Sequence, residues 1–101
     1  MALIKENNIN QFGVQEEYYR ILAINLNMQF KYCDITVGGY TSKEARLSEV
    51  EPMNIRKVRA KWVEDEFEKY FSARSMNNKS VYVQAYKYLE TEEFFKDCIA
   101  D

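Results

Sequence analysis

The chain of 101 residues is 47% apolar and 30% charged, with three glycines and one proline. That profile excludes a disordered or collagen-like chain and predicts one packed domain over 1–101, since domains cluster at roughly 100–150 residues. Fourteen basic against sixteen acidic residues give a net charge of −2, balanced in each half of the chain, so no global field draws in a polyanion and only a local basic patch is left for nucleic acid.

Histidine is absent, which excludes every Ser-His and Cys-His mechanism. Cys33 and Cys98 are the only thiols and have no CxxC spacing, so one chain cannot build a four-ligand zinc site, and no cofactor is expected. Met1 to Glu6 has neither a basic n-region nor an apolar core, and no membrane-length apolar stretch occurs. The expected place of synthesis is therefore the cytosol, where the two cysteines serve as buried apolar thiols, with a disulfide as the alternative.

Along the chain, residues 2–6 predict a short strand that turns at Asn7-Asn8, because asparagine tolerates the left-handed conformation of a tight turn. Gly13 marks a second break. Val14 to Leu26 fits both a helix and a strand apolar on two faces, and the strand is preferred. Asn25-Leu26-Asn27 would then be the hairpin turn and Met28 to Tyr40 the return strand. The apolar parity of that strand changes near Tyr32, which asks for a β-bulge there or for burial on both faces. Gly38-Gly39 would weaken its end or admit a close neighbour.

Thr41 to Glu51 reads as a polar loop with one helical turn capped by Ser42 and stopped by Pro52. Met53 to Val63 reads as an edge strand guarded by lysine and arginine. Glu64 to Phe71 places Val63, Phe67, Tyr70 and Phe71 on one helical face, with acids in the first turn. After a polar break at Ser75 to Lys79, Ser80 caps a helix with Tyr82, Ala85, Tyr86 and Leu89 on one face, and Thr91 starts a last turn or two through Phe94, Phe95 and Cys98. The expected architecture is α+β: a small antiparallel sheet of three to four strands, followed by short C-terminal helices packed on one face.

Three features invite a functional interpretation. The run Arg56-Lys57-Val58-Arg59-Ala60-Lys61-Trp62 puts four cations and an indole in seven residues. It can contact phosphates and stack on a base, form a charged protein interface, or simply offset the acids downstream. Glu16-Glu17 and Glu64-Asp65-Glu66 are paired carboxylates, but adjacent acids in a strand point apart and acids in a helix's first turn already suit the dipole, so no catalytic residues are assigned and no enzyme is expected. No glycine-rich phosphate loop is present. Eight tyrosines exceed what a small core is expected to satisfy, so some should reach the surface, where they favour a protein or carbohydrate interface or else sit at the core margin with hydroxyls in water. Candidate interface residues are Tyr40, Arg56, Arg59, Lys61 and Trp62.

The ordered segments Glu17-Tyr18-Tyr19-Arg20-Ile21, Asp34 to Arg46 containing Gly39-Tyr40-Thr41-Ser42-Lys43-Glu44-Ala45-Arg46, Glu51-Pro52-Met53-Asn54 and Ala85-Tyr86-Lys87-Tyr88-Leu89-Glu90-Thr91 with Phe94 resemble small proteins of the tail modules of phages and prophages of Gram-positive bacteria. The resemblance covers most of the chain and includes no catalytic signature. The Arg56 to Lys61 run and Cys98 depart from it. It implies a virion structural protein of the tail, baseplate or fibre region, bound to other copies of itself and to neighbouring tail proteins, with no membrane or small-molecule partner. The alternative is a small module that binds nucleic acid or a host factor through the Arg56 to Lys61 run.

Overall fold

Two long strands form the centre of the fold. Tyr18–Asn27 (β2) and Tyr32–Tyr40 (β3) pair antiparallel, with Tyr19 opposite Gly39, Ile21 opposite Val37, Ile24 opposite Ile35 and Leu26 opposite Cys33. These residues share one face of the hairpin, which settles the ambiguous segment as strand: the period of two sends its apolar side chains into one core. The computed structural model describes residues 2–48, 50–61, 66–72 and 80–100. Trp62, Val63, Glu64, Asp65 and the stretch from Ser75 to Lys79 lie outside the described residues.

The hairpin turn sits later than Asn25-Leu26-Asn27. Leu26 packs on the core, Asn27 pairs with Tyr32, and Met28 to Lys31 make the turn. Asn27 acts through its side chain, whose Oδ1 accepts the Phe30 N–H at 2.8 Å, while Lys31 takes a positive φ of 55°. Met28 and Phe30 are therefore exposed turn residues, and the parity change near Tyr32 marks the strand's beginning rather than a bulge. The irregularity lies in the partner strand instead, where the register shifts between Ile21 and Ala23 and leaves Leu22 as the extra residue.

Around this hairpin the sheet has the order β4-β3-β2-β1-β5, with Leu3–Ile4 as β1, Asn54–Ala60 as β4 and Ile99–Ala100 as β5. β4 is an edge strand, as its cations predict. The fifth strand forms where helical turns were expected to end, because the residues after Cys98 reach back to pair Ile99 with Ile4 and Ala100 with Leu3. Lys43–Leu47 (α1) is the short helix capped by Ser42, whose Oγ accepts the Ala45 N–H. Glu66–Phe71 (α2) and Val81–Leu89 (α3) follow, and Ser80 caps α3 by accepting the Val83 N–H. The fold is thus α+β. Phe67, Phe71, Ala85, Tyr86, Leu89 and Phe95 close over Ile21, Cys33, Ile35, Val37 and Ala60 to form the main core on one face of the sheet.

The Gly38-Gly39 pair admits side chains rather than backbone. A Cβ on Gly38 would lie 2.9 Å from Leu22 Cδ1 and 3.1 Å from Pro52 Cβ, and one on Gly39 would lie 2.8 Å from the Glu16 carboxyl carbon. Glu16 is itself buried, with Oε1 accepting the Tyr19 O–H at 2.8 Å and Oε2 accepting the Asn10 amide at 3.0 Å. Asn8 donates to the Glu16 carbonyl and to the Tyr19 hydroxyl. This network fastens the turns at Asn7 and Gly13, both of positive φ, onto the end of β2.

The tyrosines correct the sequence expectation most. Tyr18, Tyr19, Tyr40, Tyr86 and Tyr88 are buried, and Tyr32, Tyr70 and Tyr82 are half-buried. The core finds partners for these hydroxyls in strand backbone and in acids: Tyr86 Oη accepts the Ile21 N–H at 3.0 Å, and Tyr88 donates to Glu66 at 2.9 Å. Burial, reinforced by hydrogen bonds to Glu16 and Glu66, pushes the Tyr19 and Tyr88 hydroxyls above their ordinary pKa.

Two substitutions test the close approaches at the glycines. Gly39→Ala drives a Cβ into a buried, hydrogen-bonded carboxylate and Gly38→Ala drives one against both Leu22 and the rigid ring of Pro52, so each should cost about 1–3 kcal/mol. Urea unfolding midpoints at an unchanged m-value check this, and an unchanged midpoint for either variant would contradict it.

Candidate functional site

α2 and α3 cover one face of the sheet and only α1 reaches over the other, so a site built on strands belongs to that second face or to an edge. An antiparallel sheet tolerates such exposure when its side chains alternate, apolar inward and polar outward. Here the open face divides into two halves of different chemistry.

In the polar half, Asp34 on β3 lies opposite Arg59 on β4. The pair is bidentate, Arg59 Nε to Asp34 Oδ1 at 2.6 Å and Nη2 to Oδ2 at 2.9 Å, and the guanidinium lies 4.2 Å from the Tyr32 ring centre. The hydrogen bond from Arg59 holds the Asp34 carboxyl below its ordinary pKa. A depression of ≈ 500 Å³ continues past this pair between Ala23, Asn25, Thr36 and Lys57.

The other half is apolar. Leu22, carried outward as the bulge residue, lies beside Ile55 of β4, while Leu47, Val50 and Pro52 reach over from α1 and the segment after it. Together they line a groove of ≈ 520 Å³ with Tyr40 at its base and Arg20, Arg46 and Glu51 among its lining. Leu47 is 60% exposed, Val50 55% and Ile55 50%. Isolated surface leucines are ordinary, but several converging on one groove make it a candidate interaction surface. Further apolar residues stand exposed at Ile9, Phe12 and Val14 and at Met28 and Phe30, on loops rather than in this groove.

The candidate interface residues are therefore dispersed. Tyr40 is buried at the base of the apolar groove, in edge contact with Tyr18. Arg59 is on the polar half of the open face, engaged by Asp34. Arg56 points to the helical face, where its guanidinium carbon stacks 3.8 Å from the Phe94 ring centre and Lys5 Nζ lies 3.9 Å from the same ring. Lys61 is exposed just beyond β4, its N–H donated to Glu66. Trp62 lies outside the described residues. Leu47, Val50 and Ile55 went unnoticed in the sequence because each is a single apolar residue within a polar or basic run, with no periodicity to single it out.

The Glu16 carboxylate is filled by Tyr19 and Asn10, and Glu17 donates its N–H to the Tyr40 carbonyl. Cys33 and Cys98 are both free thiols; burial pushes Cys33 up to about 12 and raises Cys98 as well, so neither is an activated nucleophile. Among the described residues, no cluster of three or more Cys, Asp or Glu is placed to hold a metal ion, and no helix is long and apolar enough to cross a membrane. No protein-family model, curated protein or solved structure matches the chain.

The Asp34–Arg59 pair makes a pH prediction. Because the folded carboxyl pKa is depressed, its contribution is complete above the unfolded value of about 3.9 and is lost as pH falls through the lower folded value. Asp34→Asn should flatten this part of the stability profile below about pH 4, as read from urea midpoints. Parallel profiles for the two proteins would show that the pair contributes nothing.

Proposed function

We propose that the protein is a structural component of a phage virion, in the tail or baseplate region, that works by protein contacts with other copies of itself and with neighbouring tail proteins. The observation that carries the assembly part is the apolar groove on the open face, where Leu22, Leu47, Val50 and Ile55 converge. Leu47, Val50 and Ile55 there are each exposed over half or more of their surface, and association would cover them. A lining that holds Arg20 and Arg46 together with Glu51 lets two copies meet with opposite charges across the contact, as an isologous interface requires.

The placement in a phage tail is supported by the segments from Glu17 to Ile21, Asp34 to Arg46 and Ala85 to Thr91. Within the assembly reading, the double glycine, the capped α1 and Pro52 in those segments act as the scaffold that presents the groove. The nucleic-acid alternative draws less support, since Arg56 is stacked on Phe94 and Arg59 is held by Asp34.

Light scattering of the purified chain tests the assembly. A mass above 12.0 kDa that rises with concentration is expected, and Leu47→Glu with Ile55→Glu should return it to the monomer without lowering the thermal midpoint, since both side chains are exposed. A monomer at every concentration would overturn self-association. For the virion, mass spectrometry of tail particles induced from a lysogen carrying the gene should find the chain, and its absence from complete tails would overturn that placement.

A further inference from the structure

The two edges of the sheet differ. β5 offers two residues, whereas β4 offers seven and, among the described residues, pairs with a strand only on its β3 side. Asn54 Oδ1 accepts the Ile55 N–H and the Tyr88 hydroxyl donates to the Arg59 carbonyl, and the stretch between them is where another strand can join the edge. Its cations bias which strand that is. Lys57 and Arg59 line the open face of β4, and Lys61 follows at its end. Two copies of β4 laid side by side would bring these cations together, and like charges across a strand pair are destabilising. The edge is thus guarded against its own kind and complementary to an acidic strand.

A second observation comes from the helical side of the same strand. A cleft of ≈ 290 Å³ opens between Arg56 to Arg59 and the residues Glu92, Phe94 and Phe95. Arg56 Nε is buried there with no hydrogen-bond partner among the described residues. A buried charged donor left unmatched is costly, and an acceptor that arrives with a ligand removes the cost.

We propose that β4 accepts an extended acidic segment of another protein as a sixth strand, with carboxylates beside Lys57 and Lys61 on one face and one carboxylate beside the unmatched Nε of Arg56 on the other. Main-chain hydrogen bonds to the edge supply affinity, and the alternating charges supply selectivity. The segment belongs to a heterologous neighbour, so the choice of partner rests on the assembly proposed above, but its site is the sheet edge rather than the open face.

The probe is the fluorescent heptapeptide acetyl-Glu-Val-Glu-Glu-Glu-Val-Glu-amide, titrated by anisotropy against a Leu47→Glu, Val50→Glu chain, in which the open-face contact is removed at exposed residues outside β4. It should bind at least about ten-fold more tightly than its all-lysine counterpart, and N-methylation of alternate amides should weaken it by a similar factor. Lys57→Glu with Lys61→Glu should also weaken it about ten-fold. Equal binding of the lysine peptide, undiminished binding of the N-methylated one, or no binding at about 1 mM would overturn the proposal. Should the charge-reversed chain fail to fold, the N-methylated peptide still decides. Loss of peptide binding with intact self-association of the unmodified chain rejects the edge site alone, and the reverse result rejects only the open-face contact.

Discussion

At Gly38 and Gly39 the central strand has no side chains, and the sheet is closed upon from both sides. Leu22 and Pro52 approach from the open face and the buried Glu16 from the other, all within distances that a Cβ would occupy. Much of the remaining structure depends on this steric allowance. Glu16 orders the N-terminal turns through Asn8, Asn10 and Tyr19; Pro52, seated on Gly38, brings the segment after α1 down beside β4, with the Met53 N–H donated to the Gly39 carbonyl at 2.9 Å. The apolar groove is a product of the same approach, since Leu22 and Pro52 both line it.

The two faces manage their polar groups differently. On the helical side the tyrosine hydroxyls are drawn into the core and used as internal donors and acceptors, as with Tyr86 on the Ile21 N–H at the site of the bulge. That bond meets a backbone donor next to the point where the ladder loses register, where it would otherwise be stranded. On the open side, polar order comes from the exposed Asp34–Arg59 pair, whose worth is modest in water, and α1 and the segment after it cover the apolar half only in part, burying Tyr40 and leaving Leu47, Val50 and Ile55 exposed. The asymmetry gives α2 and α3 a packing role and leaves the exposed apolar side chains of the sheet on the open face.

Much of the fold was legible because local signals agreed with the global one. Ser42 and Ser80 cap helices where the sequence put them, the asparagine pair and Gly13 turn where expected, and the cations on 56–61 mark an edge strand. The misplaced turn has a simple cause: Asn25 and Asn27 are equally good turn residues, and only the tertiary demand for Leu26 in the core chooses between them. β5 was invisible because two residues have no periodicity and their pairing with β1 spans nearly the whole chain. The tyrosines were misjudged because their partners, a backbone N–H at a bulge and acids distant in sequence, exist only once the chain is folded. The groove was hidden for the same reason: Leu22, Leu47, Val50 and Ile55 come from three separate segments and meet only through the bulge and the turn at Pro52.

Amide hydrogen exchange as a function of protein concentration bears most directly on the claim that the open face is the assembly surface. Protection should appear with rising concentration in segments 20–23, 46–48 and 50–55, while α3 and the loop at 9–14 keep the rates they have in dilute solution. Rates independent of concentration throughout, or protection confined to 9–14 or to α3, would contradict that claim.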